Sequence, residues 1–258
     1  MRNQPAVIEP PATTPQSRFR VISAFSREMR EEVFHLRHRI FCEELTWFER
    51  RPDGREIDEY DDRSSLLLLR HAHTNEPVGC VRLVKTRATA SSFPLPFENI
   101  CGDLLDKTAF DPASVPRHTL GEASRLGVLQ TFRKRKGEES APDPVPNHAF
   151  ETDVGSGNNR QFPYILISLY LGTIALAVRD GIEHLVSVTE PRLVAHLSDM
   201  GVPIRVIGSP VQYKGLRVPG VMSVPRVIDA LNPFVRKLYE QIVQDVASQH
   251  RLQTASAP

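Results

Sequence analysis

Cysteine is scarce, a single tryptophan is present, and neither sign of charge dominates. Cys42, Cys80 and Cys101 form an odd set without a CxxC pair. That excludes a disulfide scaffold and a zinc ribbon, and it fits reduced thiols in a cytoplasmic protein. Thirty-two Lys and Arg against 31 Asp and Glu leave a formal net charge of +1, without the basic excess of a nucleic-acid binder. No apolar run reaches membrane-spanning length: the longest, 162–178, is interrupted by Ser168, Gly172 and Thr173 and reads as a buried helix. The N-terminus lacks the charged-then-apolar pattern of a signal peptide. It carries Pro5, Pro10, Pro11 and Pro15 among small and polar residues, so 1–17 is expected to be a disordered tail. No internal repeat is evident.

What is present is a mixed alternation of strands and helices. Phe19 to Ala24 reads as a strand, and Ser26 as the N-cap of a helix whose apolar stripe runs Met29, Val33, Leu36, Ile40 and Phe41 towards Trp47. Arg27, Arg30, Glu31, His38 and Arg39 fall on its polar face. The segment 46–64 reads as a long acidic loop. Ser65 to Ala72 and Val78 to Lys85 form a hairpin, with both His71 and His73 on one strand face. A short helix is expected near 100–105, and a strand from Leu120 to Leu129. The polar stretch 133–161 reads as a surface insertion. Pro163 opens a helix closed by Gly181. His184 to Thr189 is a buried strand, Pro191 to Gly201 a short helix, and Ile204–Ile207 and Arg217–Val224 are further strands. An amphipathic helix spans about 227–246, leaving 248–258 as a second tail. The expectation is one α/β domain over 18–247, a mixed sheet with helices on both faces.

The residues with chemical potential are spread over about a hundred positions: Arg37, Phe41 and Trp47; Glu56, Asp58 and Asp61 in EIDEYD; Arg82 in GCVRL; Glu122 and Arg125 in GEASRL. In this order and spacing they resemble the acyl-homoserine-lactone (autoinducer) synthases. The later segments RQFPYILISLYLGTIALA, VTEPRL and IGSPVQYKGLRVP resemble the PEP-CTERM/exosortase system-associated acyltransferases, which group with the N-acyl amino acid synthases. Gly121 and Leu126 depart from the aromatic residues usual at those places in autoinducer synthases. The resemblance implies a fold related to the GCN5-type N-acetyltransferases and acyl transfer from a thioester to an amine. Gln130 is followed by Thr131, Phe132 and Arg133 without the glycines of the usual pyrophosphate loop, so an acyl carrier protein is as admissible a donor as coenzyme A.

Such a reaction needs a base for the amine proton and oriented donors for a tetrahedral oxyanion. By the resemblance, the thioester enters a V-shaped opening between the strands 120–129 and 184–189. Glu122 is then the base or orients the amine, Arg82 and Arg125 hold carboxylates, and backbone N–H groups at Gly127 and Val128 face the oxyanion. Arg37, Phe41, Trp47, Asp58 and Asp61 bind substrate or order the loop over the site, Phe41 from within the core. Glu122, Arg82 and Arg125 read equally as an interstrand ion-pair network. Arg133, Lys134, Arg135 and Lys136 read as a solvated run, as a dock for an acidic carrier protein or as a grip on coenzyme phosphates. The helix 164–178 reads as core or as the lining of an acyl tunnel. No metal ligand set is expected at His71 and His73, and the cysteines read as core, so transfer is expected to be direct, with no permanently bound cofactor. The expected protein is a cytoplasmic N-acyltransferase that moves a fatty acyl group to an amino acid, with peripheral membrane contact by the last helix as a further option. Lactone synthesis from S-adenosylmethionine and a non-catalytic acyl-binding module are the alternatives.

Overall fold

The computed structural model describes residues 18–86, 93–133, 161–199 and 202–254. The expected N-terminal tail, most of the insertion, and Lys134, Arg135 and Lys136 lie outside them. In chain order, β1 (Phe19–Ser23) leads into α1 (Arg27–Arg37), which continues as a π-helical turn over His38–Glu44. The hairpin β2 (Ser64–His71) and β3 (Pro77–Lys85) follows, then α2 (Pro96–Cys101), β4 (Leu120–Val128) and the short α3 (Gln130–Arg133). The second half holds α4 (Gln161–Arg179), β5 (His184–Thr189), α5 (Pro191–Asp199), β6 (Arg205–Val206), β7 (Val211–Gln212) and β8 (Leu216–Ser223). Helices α6 (Val224–Ala230) and α7 (Pro233–Thr254) close it.

The strands join in the order β1-β2-β3-β4-β5-β8-β6, with β7 paired to β8. Every pairing is antiparallel except β4 with β5. The four leucines of β2 show why helices lie on both faces: Leu67 and Leu69 enter a core beneath α4 and α7, whereas Leu66 and Leu68 enter a second core beneath α1. A strand buried on both sides is continuously apolar rather than alternating. A third core forms where Phe97 of α2 and Phe110 meet Leu120 and Val186.

Several expectations shift in detail. His38 is buried, with its ring Nδ1 3.1 Å from the Glu43 carboxylate, because the π turn rotates the helix register; Met29, assigned to the apolar stripe, is exposed. The helix near 100 starts earlier, at Pro96, since proline suits a first helical turn. His71 ends β2 and His73 lies in the turn. The terminal helix is two helices: Pro233 cannot continue α6, and Asn232 Oδ1 accepts from Val235 N at 3.0 Å to start α7. That helix runs to Thr254, well into the stretch expected to be a tail.

The hairpin sits tightly on β4. A Cβ on Gly79 would stand 2.7 Å from the carbonyl oxygen of Gly127, a backbone atom that cannot rotate away. Overpacking of this kind costs about 1–3 kcal/mol. Gly79→Ala is therefore expected to lower the unfolding free energy by about that amount, read as a fall in the urea midpoint at unchanged slope.

Candidate active site

The parallel pair β4–β5 is joined only over Leu120↔His184, Gly121↔Leu185 and Glu122↔Val186. Beyond Glu122 both strands run on without pairing to each other, and the sheet opens. On its other side β4 carries a register shift against β3: Cys80 faces Gly127 and Arg82 faces Ser124, so Arg125 and Leu126 stand as a bulge opposite Val81. Arg125 takes φ +54, a left-handed conformation rare for residues with a side chain. Bulges of this kind interrupt the ladder and re-aim side chains.

A cavity of about 380 Å³ fills the opening. On the α1 and α2 side it is lined by Asp58, Tyr60, Arg82, Asn99, Glu122, Ser124 and Arg125. It passes through the split to Leu126, Tyr170, Thr173, Leu193, Leu197 and Met222, which belong to or pack on the α4 side. Charge thus stands at one end and hydrocarbon at the other. Of the apolar helix proposed as an acyl-tunnel wall, Tyr170 and Thr173 reach the cavity; Leu169, Leu171 and Ile174 are core.

The polar end is built around an ion network. Arg37 is fully buried and donates from Nε to Glu56 Oε2 at 2.5 Å and from Nη1 and Nη2 to Asp61 at 2.6 and 3.1 Å. Arg82, equally buried, bonds Asp58 and approaches Asp61 at 3.2 Å, while its Nε donates to Ser124 Oγ at 3.0 Å. Arg125 Nη2 reaches Glu56 and Asp58 at 3.0 and 2.9 Å. Three guanidinium groups therefore balance three carboxylates, which buried charges require. The expected network of Glu122 with Arg82 and Arg125 is corrected: the carboxylates that pair with the arginines are Glu56, Asp58 and Asp61, and Glu122 has no ion pair among the described residues. Asp61 is buried rather than part of a solvated loop; although burial acts to raise its pKa, Arg37 and then Arg82 hold it below the ordinary carboxylate value.

Glu122 stands apart. It is 2% exposed, and Oε2 accepts from Phe97 N at 2.7 Å. Burial pushes its carboxyl up to about 8, against the opposing pull of that N–H, Arg82 and Arg125. It is therefore largely protonated at neutral pH in the free protein.

Aromatic residues roof the site. Phe41 is core and stacks on Trp47, ring centroids 6.0 Å apart. The turn between β7 and β8 closes over them: Lys214 lies 5.0 Å from the Phe48 ring, Arg125 4.4 Å from the same ring, and Arg217 5.4 Å from Trp47. Lys214 also donates to the Trp47 carbonyl. Sequence reasoning missed Phe48, Tyr60, Asn99, Glu190, Tyr213, Lys214 and Arg217. The segments VTEPRL and VQYKGLR drew notice, but nothing local shows that they fold over a cavity that begins at Asp58.

Other placements are corrected. Gly127 and Val128 are buried and do not line the cavity; a Cβ on Gly127 would meet Phe41 at 2.8 Å. The backbone freed by the bulge lies at Arg125 and Leu126. Arg133 is not a docking residue, being 1% exposed with Nη2 2.7 Å from Glu44. The same Glu44 carboxylate accepts from Gln130 N at 2.8 Å. The cysteines are buried, and burial raises Cys80 to about 12 and Cys101 to about 11, so they hold thiols rather than nucleophilic thiolates.

The comparisons agree with this fold. An acetyltransferase (GNAT) domain model matches residues 36–141. The fold is the GNAT acetyltransferase fold. The chain is 53% identical over 53 residues to the isovaleryl-homoserine lactone synthase of Bradyrhizobium diazoefficiens, a match spanning 19% of this chain and 24% of that enzyme. A CoA-dependent acyl-homoserine lactone synthase, BjaI, solved with SAM and isopentyl-CoA, superposes at TM-score 0.52 and 22% identity, over 87% of this chain and 89% of that one. FeeM, an N-acyl amino acid synthase from uncultured soil microbes, superposes at TM-score 0.51 and 15% identity, over 83% of this chain and 95% of that one. Among the described residues no helix is long and apolar enough to cross a membrane.

The two unusual carboxyl groups give opposite pH slopes. Asp61, lowered in the fold, contributes stability above its unfolded value near 3.8 that is lost as pH falls through its folded value. Glu122 binds its proton more tightly folded than unfolded, so its contribution declines as pH rises from about 4.5 to about 8. Urea unfolding across pH is expected to show Asp61→Asn reducing the acid-side loss, with the remainder left to other lowered carboxylates such as Asp180, and Glu122→Gln reducing the alkaline-side decline. Asp61→Ala, which leaves Arg37 and Arg82 short of a partner, should cost about 3–5 kcal/mol at pH 7.

Proposed function

We propose that the protein is an N-acyltransferase that moves a fatty acyl group from a carrier-protein or coenzyme A thioester to the amine of an amino acid. The observation that carries this reading is the cavity through the β4–β5 opening, charged around Glu122 on one side and apolar from Leu126 to Met222 on the other. A thioester placed at the opening would lay its acyl chain along the apolar wall. Its carbonyl would then stand beside the Arg125–Leu126 bulge, whose backbone donors suit the developing oxyanion.

The remaining requirement is a base. A carboxyl raised to about 8 is, once ionised, a far stronger base than an ordinary carboxylate, which brings it nearer to the ammonium group it must deprotonate and suits proton transfer near neutrality. Glu122 takes the amine proton, the free amine attacks the carbonyl carbon, and collapse of the tetrahedral adduct breaks the C–S bond. The thiolate leaves and takes up a proton. No cysteine is needed, and the raised thiol values fit direct transfer.

The donor is read from the end of β4. Glu44 occupies the first amide of α3 and bonds Arg133, so a carboxylate stands where an anionic cofactor would otherwise meet that helix start. This favours a carrier-protein donor, with coenzyme A retained because of the likeness to BjaI. The same likeness and the 53% identical segment favour a second reading, lactone formation from S-adenosylmethionine.

Thiol release by the purified protein, with carrier-linked and coenzyme A-linked long-chain donors and either pooled amino acids or S-adenosylmethionine, separates the readings when products are weighed by mass spectrometry. Acylated amino acids are expected; lactones would install the second reading, and donor binding without thiol release would reduce the protein to an acyl-binding module. Glu122→Gln is expected to lower kcat/KM by about 10²–10⁴. The wild-type kcat/KM should rise with pH through an ionisation near 8, and the variant should retain only the limb set by the amine.

A further inference from the structure

Among the described residues the Glu122 carboxyl has one hydrogen bond, and it comes from backbone: Phe97 N, in the first turn of α2, donates to Oε2 at 2.7 Å. A backbone N–H needs an acceptor lone pair, so it fixes Oε2 as the acceptor in either protonation state and leaves the proton to Oε1. That holds only while the turn stays in place. A helix of six residues has no stability of its own, so its position is set by what grips it.

The grip centres on one ion pair. Arg117 donates from Nη1 to Glu98 Oε1 at 2.8 Å and from Nη2 to Oε2. The same Oε2 accepts from Leu95 N at 2.6 Å and closes the start of α2. Arg117 Nη2 also reaches the Phe93 carbonyl at 3.4 Å, and Arg63 Nη2 the Pro94 carbonyl at 2.8 Å. Arg117 in turn opens the short turn Arg117–Thr119 that runs directly into β4. Thr86, directly after β3, ties that turn down through the carbonyls of Arg117 and Leu120. One stretch of chain, 117–122, therefore holds α2 at two neighbouring residues, Glu98 by its carboxylate and Phe97 by its N–H. A solvated surface pair contributes little, but this one is part-buried, two-pronged and rooted beside the strand that carries Glu122.

We propose that Arg117 and Glu98 are positioning residues for Glu122: their pair holds the first turn of α2 so that the Phe97 N–H keeps Oε2 occupied and leaves the proton-carrying Oε1 to the cavity. The inference rests on the acyltransferase reading for its consequence in turnover, and on the contacts alone for its consequence at the carboxyl.

The charges of the pair are felt there as well. Burial, the largest influence, pushes Glu122 up; the Phe97 N–H, Arg82 from β3 and Arg125 from β4 oppose it, and Glu98 from α2 adds to it. Tyr60 and Cys101, the other ionisable groups that face Glu122, are both raised and stay neutral near pH 7. Loss of the Arg117 guanidinium leaves the Glu98 charge unopposed and slackens the N–H bond, and both effects raise Glu122. Loss of the Glu98 charge lowers it, since an amide oxygen still accepts from Leu95 N. A pair that only stabilised the fold would move neither, or would move both variants together.

Infrared difference titration of the full chain follows the protonated carboxyl of Glu122, identified as the band lost in Glu122→Gln, and requires no turnover. Arg117→Gln is expected to move the ionisation to higher pH and the carbonyl stretch to higher frequency as the Phe97 N–H withdraws. Glu98→Gln is expected to move the ionisation to lower pH, and it carries the test if Arg117→Gln does not fold. Arg117→Lys, which restores the charge, should return the ionisation towards the wild-type position. In the thiol-release assay Arg117→Gln should lower kcat by about tenfold to a hundredfold, the scale of a small misplacement, while the donor KM holds. An unmoved stretch and ionisation in Arg117→Gln, or the same direction of shift in both glutamine variants, overturns the inference. The expected infrared shifts in a protein that transfers no acyl group would sustain the positioning and remove the acyltransferase reading; acyl transfer unaffected by Arg117→Gln would keep that reading and overturn the inference.

Discussion

The ion pairing between Arg37 and Asp61 is the constraint on which the site depends. Arg37 ends α1, and Asp61 ends a loop of irregular backbone that would otherwise have little reason to hold one shape. Their two-point contact, completed by Glu56, fixes that loop beneath the helix. Asp58 is then held over the sheet, where Asp61 accepts its backbone N–H at 2.9 Å and both Arg82 and Arg125 meet its carboxylate. Removing any one charge would strand the others in a medium that cannot solvate them. The network thus converts a loop into part of a rigid wall, and the cavity inherits its shape from that wall.

The second constraint is the broken pairing of β4. A parallel partner on one side that lets go after Glu122, and a bulge on the other side at Arg125, leave a strand whose middle is only partly committed to the ladder. The strain of a left-handed Arg125 is stabilised by what that conformation permits: a side chain laid across Glu56, Asp58 and the Phe48 ring. Backbone strain of this order, about 1–3 kcal/mol, persists where surrounding contacts over-determine it. Here the contacts are the ion network itself, so the site's charge balance and its backbone geometry are one device.

Much of this was legible in the sequence, because patterns of period and punctuation act locally. Ser26 caps α1 as its type suggests, Gly181 follows α4 at φ +72, and β5 occupies His184–Thr189 as read. The order Arg37, Asp58, Asp61, Arg82, Glu122, Arg125 marked one polar cluster through resemblance. The partners within the cluster were not legible, since Glu56 and Asp61 differ from Asp58 only in which way a loop turns. Nor could spacing reveal the bulge, and Gly127 and Val128 were therefore expected at a cavity that Arg125 and Leu126 line instead. Arg133 misled because a run of basic residues looks solvated, whereas Glu44, 89 positions earlier, draws its first member inside. Lys214 and Arg217 reach the site by a long-range closure that no local signal records.

These features also explain why one site admits two readings of its acceptor. A free amino acid and S-adenosylmethionine present the same ammonium and carboxylate, so the roles proposed for Glu122 and Arg82 suit either equally well. Discrimination must come from the rest of the molecule, at the mouth, where the arginines seated on aromatic rings are themselves paired, Arg125 with Glu56 and Asp58 and Arg217 with Glu190. The buried network supplies a neutral floor, because its three positive and three negative groups cancel, while Glu122 remains largely protonated.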